Sequence, residues 1–276
     1  MSLWFVLTGE TMLIAVNMGN SNIGFGIFAD PFNCTIPIVR KVPTHPAGTP
    51  GFYKKIITQI IKETPGLNPS TDTSAIVASV VPDSNSLINS ALSCFCKRQP
   101  IYVKAGMSSG LAFSVKEPFR MGADRIANAI AGVSCNKGRP TAIVDFGTAT
   151  TITLVGTQHT VMGGAILPGI FLMMKALHSG TAKLPLVSPH AMQNAFGKDT
   201  ASSITAGVVY GTAGAVEKLI KLMEKELKYK LQLVLTGGNA PFVSPFINRS
   251  FKLLPHLTFE GLRLLYIRNI KTGGKS

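Results

Sequence analysis

Three short segments of this chain carry the residue types that cradle phosphate oxygens. Residues 17–22 read NMGNSN, residues 145–151 read DFGTATT and residues 236–239 read TGGN. Each follows an apolar run, MLIAV at 12–16, TAIV at 141–144 and LQLVL at 231–235. A polar turn at the end of a buried strand presents backbone N–H groups and hydroxyls, and its glycine lets the backbone come close to an anion. Taken singly, such a turn is an ordinary β-turn. Three of them at strand ends form the kind of place where α/β sheets bind nucleotides. Asp145 closes a strand and opens the second turn, where a carboxylate can hold a cation beside phosphates or satisfy its own loop as an Asx turn. Residues 122–125 read GADR and open a helix. Asp124 in that first turn complements the helix dipole, whereas Arg125 opposes it. A guanidinium kept there points to an anionic partner, carboxylate or phosphate. An aspartate beside it is suited to act as a general base next to a substrate anchor.

The elements that must position these residues follow from periodicity. A strand over 12–16, a tight turn and a strand over 23–28 open the chain. Helical spacing covers 52–63, with Ile56, Ile57, Ile60 and Ile61 as its apolar stripe. A buried strand over 75–81 stops at Pro82, followed by a helix over 83–95, a strand over 101–103 and a small-residue helix over 122–132. The pattern then restarts with a strand at 141–144 and a returning strand at 151–155. A helix over 168–177, one long helix or two over 203–229, a strand over 231–235 and a closing helix over 258–268 complete it. Gly207, Gly211 and Gly214 in the long helix suggest close packing. VNMGNSNIGFG near residue 16 is echoed by VDFGTATTITL near residue 144, so the chain compared with itself is a duplicated α/β unit. The expected divisions are an N-terminal extension at 1–11, a first domain at 12–138 and a second at 139–276.

Composition removes several function classes. Hydrophobic residues are 46% and charged residues 14% of the 276, which excludes a disordered chain. The net charge of +14 comes from scattered basic residues and few acids. The densest stretch, 218–230, also carries Glu224 and Glu226 and reads as a solvated helix face. Nothing interleaves aromatic and basic residues as a nucleic-acid surface does, so no nucleic-acid partner is expected. No apolar run reaches membrane-spanning length, and no membrane association is expected. The four cysteines lack paired zinc spacing and read as reduced thiols. GMSSG at 106–110 has nucleophile-elbow spacing without the helix or the His–acid pair that motif needs.

With GGAILPGI at 163–170, Gly180-Thr181 and Leu184-Pro185 added, the segments resemble type III pantothenate kinases in order and spacing from Met12 to the last helix. The resemblance implies the duplicated ribonuclease-H-like fold of the acetate and sugar kinase, heat-shock chaperone and actin superfamily. It implies ATP-dependent phosphorylation of (R)-pantothenate to 4′-phosphopantothenate, the first step of coenzyme A biosynthesis, by a cytoplasmic homodimer with its active site near the subunit interface. ATP would come with Mg²⁺ or another divalent cation, and K⁺ or NH₄⁺ would be required. By the same resemblance Asp124 is the proton acceptor, and Gly122, Ala123, Asp124, Arg125 and Thr181 bind pantothenate. Asn17, Met18, Gly19, Asn20, Ser21, Asn22, Ile23 and Gly24 form the first phosphate hairpin. Thr148 is an ATP contact, and Asp145 is the monovalent-cation ligand.

The sequence departs from that family at three places. Its first hairpin normally begins Asp-x-Gly-Asn-Thr; here Asn17 keeps a carbonyl oxygen but not the charge, and Ser21 keeps the hydroxyl. The family's substrate-contacting Tyr falls at Val115, which has no hydroxyl to offer. Thr153 stands where many members carry Asp. These departures leave room for two other readings, a catalytically impaired or regulatory ligand-binding relative and a kinase of another small hydroxy acid.

Overall fold

A computed structural model of the chain describes residues 11–33, 37–45, 47–64, 67, 72–190 and 194–272. Of the expected extension at 1–11, only Thr11 falls among them. The elements begin with β1 (Thr11–Met18), β2 (Asn22–Phe28), β3 (Ile38–Pro43), α1 (Pro50–Glu63), β4 (Asp72–Ser79), α2 (Asn85–Leu92), β5 (Ile101–Tyr102) and β6 (Ala112–Phe113). They continue with α3 (Ala123–Cys135), β7 (Thr141–Phe146), β8 (Ala149–Val155), β9 (Thr160–Pro168), α4 (Ile170–Ser179), α5 (Thr200–Leu227), β10 (Gln232–Thr236), α6 (Ala240–Val243), β11 (Lys252–Leu253) and α7 (Leu257–Thr272). The described residues form two compact units. One holds those up to Ser109, Glu117–Ala131 and those from Thr258 on; the other holds Gly110–Lys116 and Gly132–Leu257.

The first unit is built on a sheet of order β3-β2-β1-β4-β5. β1 runs antiparallel to β2 and parallel to β4, β2 antiparallel to β3, and β4 parallel to β5. The second sheet contains β9-β8-β7-β10-β11 with the same four pairings in the same senses, and β6 is added parallel to β9. The echo between 17–22 and 145–151 is thus part of a repeated five-stranded sheet, and the fold is the duplicated ribonuclease-H-like one. In both units the second-last residue of the leading strand, Asn17 or Asp145, stands just before the hairpin turn.

β1 is apolar without alternation because both faces are covered. Met12, Ile14, Val16 and Met18 pack with Tyr53, Ile57 and Ile60 of α1 and Ile88 and Leu92 of α2. α1 starts where the Thr49 hydroxyl accepts the Phe52 N–H at 3.2 Å with Pro50 in the first turn. On the other face the Phe259 ring of α7 covers β2, where a Cβ at Gly24 would lie 2.9 Å and one at Gly26 2.6 Å from it. The alternating glycines of NIGFGIF make room for that ring. In the second unit Val144, Phe146, Ile152, Leu233 and Leu235 pack against Met174 of α4 and Val208, Val216 and Ile220 of α5.

The long helical stretch is one helix of 28 residues. Its start is fixed by Asp199, whose carboxylate accepts the Ser202 N–H at 2.8 Å while the Ser202 hydroxyl accepts the Asp199 N–H at 3.2 Å. Gly207, Gly211 and Gly214 serve no close packing among the described residues, since a Cβ at each would meet none of them within 4 Å. Four strands escape the periodicity, the two-residue β6 and β11 and the longer β3 and β9. β3 carries Arg40 and Lys41 on a sheet edge, and β9 is interrupted by Gly163 and Gly164 and held by its pairing with β8.

Within the first unit α7 crosses α3 at close range. A Cβ on Gly261 would run into the Ala127 backbone, and beside it the buried Thr258 hydroxyl donates to Asn128 Oδ1 at 2.8 Å. Gly261→Ala is expected to destabilise the protein by about 1–3 kcal/mol, as overpacking does. Urea denaturation with an unchanged m-value would show it.

Candidate active site

In the first unit the GADR segment and the first hairpin meet at one end of the sheet. The Val80 N–H, just past β4, donates to Met18 O at 3.0 Å. A Cβ on Gly122 would lie 3.6 Å from Val80 Cγ1 and 2.5 Å from Asp124 Oδ1. Any side chain at 122 would therefore displace the Asp124 carboxylate, which is a physical reason for glycine there. Asp124 Oδ1 accepts the Arg125 N–H at 2.8 Å, a bond that holds one carboxylate oxygen.

The hairpin turn is closed by the Gly19 N–H donating to Asn22 O at 2.9 Å. Thr44, fully buried, pins it from the end of β3: its N–H donates to Ser21 O at 3.0 Å and its hydroxyl to Gly19 O at 2.7 Å. Nothing in the sequence marks Thr44, which only the β2–β3 pairing brings to the turn. Asn20, Ser21 and Asn22 are exposed and Asn17 is half-buried. The Asn17 amide has no hydrogen-bond partner among the described residues. Met18 and Ile23 are fully buried in the core, so they can offer a ligand only backbone.

In the second unit Asp145, the second turn and the TGGN loop are packed together. Asp145 pairs with Thr151 across the hairpin and with Thr236 in parallel. The Asn239 N–H donates to Phe146 O at 2.9 Å and its amide to Gly147 O at 3.1 Å. Gly237 sits at φ 97°, and a Cβ there would run into Asp145 Oδ1, so glycine is needed on both counts. Gly169, before α4, donates its N–H to Thr148 O at 3.1 Å, with no room for a Cβ against that carbonyl. Asn239 and Gly169 thus fix the shape of the loop around Asp145 and Thr148. The sequence had shown each only as part of a polar or glycine-rich run.

Val115 and Thr181 also lie in the second unit, on separate elements. Val115 is half-buried two residues past β6. Thr181 is exposed after α4, where its hydroxyl donates to Leu177 O at 2.8 Å and accepts the Leu184 N–H at 3.3 Å. Among the described residues no three His, Cys, Asp or Glu side chains converge to hold a metal ion.

Burial raises the Asp124 carboxyl above the ordinary aspartate range, against the opposing pull of the Arg125 N–H and guanidinium. Burial likewise lowers the Arg125 guanidinium from its ordinary value, with the Asp124 charge opposing. A carboxylate short of solvent with one oxygen committed is a stronger base than aspartate in water.

The sequence profile of the type III pantothenate kinase family matches residues 13–222. A type III pantothenate kinase of Bacillus cytotoxicus is 35% identical over 258 residues, covering 94% of this chain and 97% of that protein. Among solved structures, a conserved Baf family transcriptional activator from Campylobacter jejuni superimposes with a TM-score of 0.58 at 18% identity, covering 94% of this chain and 99% of that one. The activator of 2-hydroxyisocaproyl-CoA dehydratase from Clostridium difficile, solved with bound ADPNP, gives 0.51 at 10% identity over 96% and 98%. At such identities the two structures speak for the fold alone.

Carboxyl ¹³C NMR is expected to titrate Asp124 above the value of about 3.9 for an unperturbed aspartate; a midpoint at or below it would refute the burial argument. With the folded-state value raised, the folded chain keeps this proton to higher pH than the unfolded chain. Stability contributed by this group is therefore lost as pH rises through the raised value.

Proposed function

The chain belongs to the type III pantothenate kinase family, and we propose on that premise that it phosphorylates the hydroxyl of (R)-pantothenate with ATP. The products are 4′-phosphopantothenate and ADP, and the reaction opens coenzyme A biosynthesis in the cytoplasm. The observation that carries this reading is the agreement over 94% of the chain with a type III pantothenate kinase.

The family resemblance gives each residue a role in this proposal. Phosphoryl transfer asks a protein mainly for positioning and charge stabilisation. The backbone of residues 17–24, together with Thr148, would hold the triphosphate. As the pantothenate oxygen attacks the γ-phosphorus, its proton passes to the Asp124 carboxylate, whose burial suits it to take that proton. Arg125 would anchor the pantothenate carboxylate, with Gly122, Ala123 and Thr181 shaping the rest of that subsite and Val115 contributing apolar contact only. Asp145 would hold K⁺ or NH₄⁺, and Mg²⁺ would enter on ATP; these ions supply positive charge beside the phosphates.

The dimer of this proposal rests on the apolar surface of the second unit. Ile166 is 66% and Phe171 49% exposed there, and Leu172 and Leu177 are exposed too, the kind of side chain a partner subunit covers. Sedimentation should find a dimer in the parent and monomers in Ile166→Glu.

A coupled assay with pantothenate, ATP, Mg²⁺ and K⁺ tests the function. The parent should turn over, and Asp124→Ala should lose at least about 100-fold, the scale of general-base catalysis. Asn17→Asp restores a carboxylate at the first hairpin and should lower the half-saturating Mg²⁺ concentration about threefold or more. A parent silent at saturating substrates and cations would refute the kinase reading.

A further inference from the structure

A crevice of about 710 Å³ opens in the second unit at the end of the sheet away from the phosphate-type loops. It lies between the last turns of α5 and the beginning of β10, floored by residues 248–252. The Gln232 N–H at this end donates to Pro140 O at 2.9 Å, whereas Thr236 and the TGGN loop lie at the other end of β10, roughly 13 Å along the strand. Open α/β sheets bind substrate at the carboxyl ends of their strands, so this crevice belongs to a different site.

Its charges are arranged in an uneven way. Glu217, Lys221 and Glu224 follow one another at i, i+4 and i+7 on the α5 face that lines it. Both carboxylates accept bonds from the chain itself. Glu224, 7% exposed, accepts the Leu231 N–H at 3.0 Å and Arg249 Nη2 at 2.8 Å on Oε1, and Lys230 Nζ at 3.3 Å on Oε2. Glu217 accepts the Asn248 N–H at 2.6 Å. Burial of Glu224 works to raise its pKa, but the bonds from Arg249, Leu231 and Lys230 outweigh it and hold the group below the ordinary value. Glu224 therefore braces the wall, and Glu217 commits one oxygen to it.

What remains is a donor set with no acceptor partner. Lys221, the Gln232 amide and the Ser250 hydroxyl have no bond among the described residues. Among the described residues Arg249 engages only Nη2, to Glu224 and to Leu231 O, which leaves Nε and Nη1. Of the four cationic side chains lining the crevice, Lys230 is paired with Glu224 and Lys252 Nζ donates to Cys135 O, so Lys221 and the free edge of Arg249 are left to a ligand. The volume is that of a small-molecule site, and a guanidinium edge, an ammonium and neutral donors together match phosphate oxygens. We propose that this crevice binds the phosphate or diphosphate group of a small anion, apart from the phosphoryl-transfer site. None of these residues has a part in the proposed phosphoryl transfer, so this inference stands or falls separately from it.

The test is isothermal titration of pyrophosphate, and separately of inorganic phosphate, into the full chain at ionic strength fixed with KCl. The parent is compared with Lys221→Glu and Arg249→Lys, with melting temperature and pantothenate kinase kinetics measured on each. Lys221 is exposed, so its variant should melt as the parent does, and Arg249→Lys keeps a cation beside Glu224. The parent should show a saturable site that Lys221→Glu weakens at least about tenfold, the worth of one lost charge-assisted bond, with KM for ATP and pantothenate unchanged. A preference for pyrophosphate over phosphate assigns a diphosphate group, and equal binding assigns a single phosphate. Absence of saturable binding, or binding indifferent to Lys221→Glu, overturns the proposal. Capture of a single-stranded oligonucleotide without pyrophosphate binding also overturns it.

Discussion

Parallel pairing between a leading strand and the fourth strand of its own sheet, β1 with β4 and β7 with β10, decides where the polar turns of this chain end up. A strand exposes its chemistry only where it stops, and parallel neighbours stop at the same end of the sheet. Val80 therefore comes beside Met18 in the first unit and the TGGN loop beside Asp145 in the second. Without those pairings NMGNSN would be unrelated to GADR in the first unit, and DFGTATT to TGGN in the second. The buried apolar runs that hold them together are the same ones that give each unit its core, so stability and site geometry cannot be separated at these strands.

Around both aspartates the main chain is packed as closely as glycine permits. Gly122 leaves room for the Asp124 carboxylate, and Gly237 does the same for Asp145 while occupying a backbone region that other residues enter at a cost. Close packing of this kind strips water from a charged group. At Asp124 the result is a carboxyl raised by burial and only partly offset by Arg125. Holding a charge short of solvent costs stability, and it also makes the group a better proton acceptor.

The repeat supplies its own comparison. Asn17 and Asp145 occupy the same place in the repeated five-stranded order, one an amide and one a carboxyl. The turn after Asn17 is intact, closed by its own hydrogen bond and pinned by Thr44. The substitution therefore changes charge at the hairpin without changing its shape. In the proposed kinase this shifts the burden of holding cations toward Asp145 and the nucleotide's own phosphates.

The amino-acid sequence by itself determined the duplicated α/β architecture, the strand-ending turns, the GADR helix start and the family. Buried strands must be apolar, turns must be polar and flexible, and both constraints act on neighbours in the chain. The strands β3 and β9 were not legible, because edge charge and paired glycines hide a periodicity that only pairing with β2 and β8 makes good. Thr44, Asn239 and Gly169 had no local signal either, since each acts on a loop distant in sequence. Likewise the lysines of 218–230 are exposed as a solvated face should be, but only tertiary structure buries Glu224 against Arg249. Hydrophobic patterning is written along the chain, whereas the pairing of a polar group is settled only by which strand or helix the fold brings opposite it.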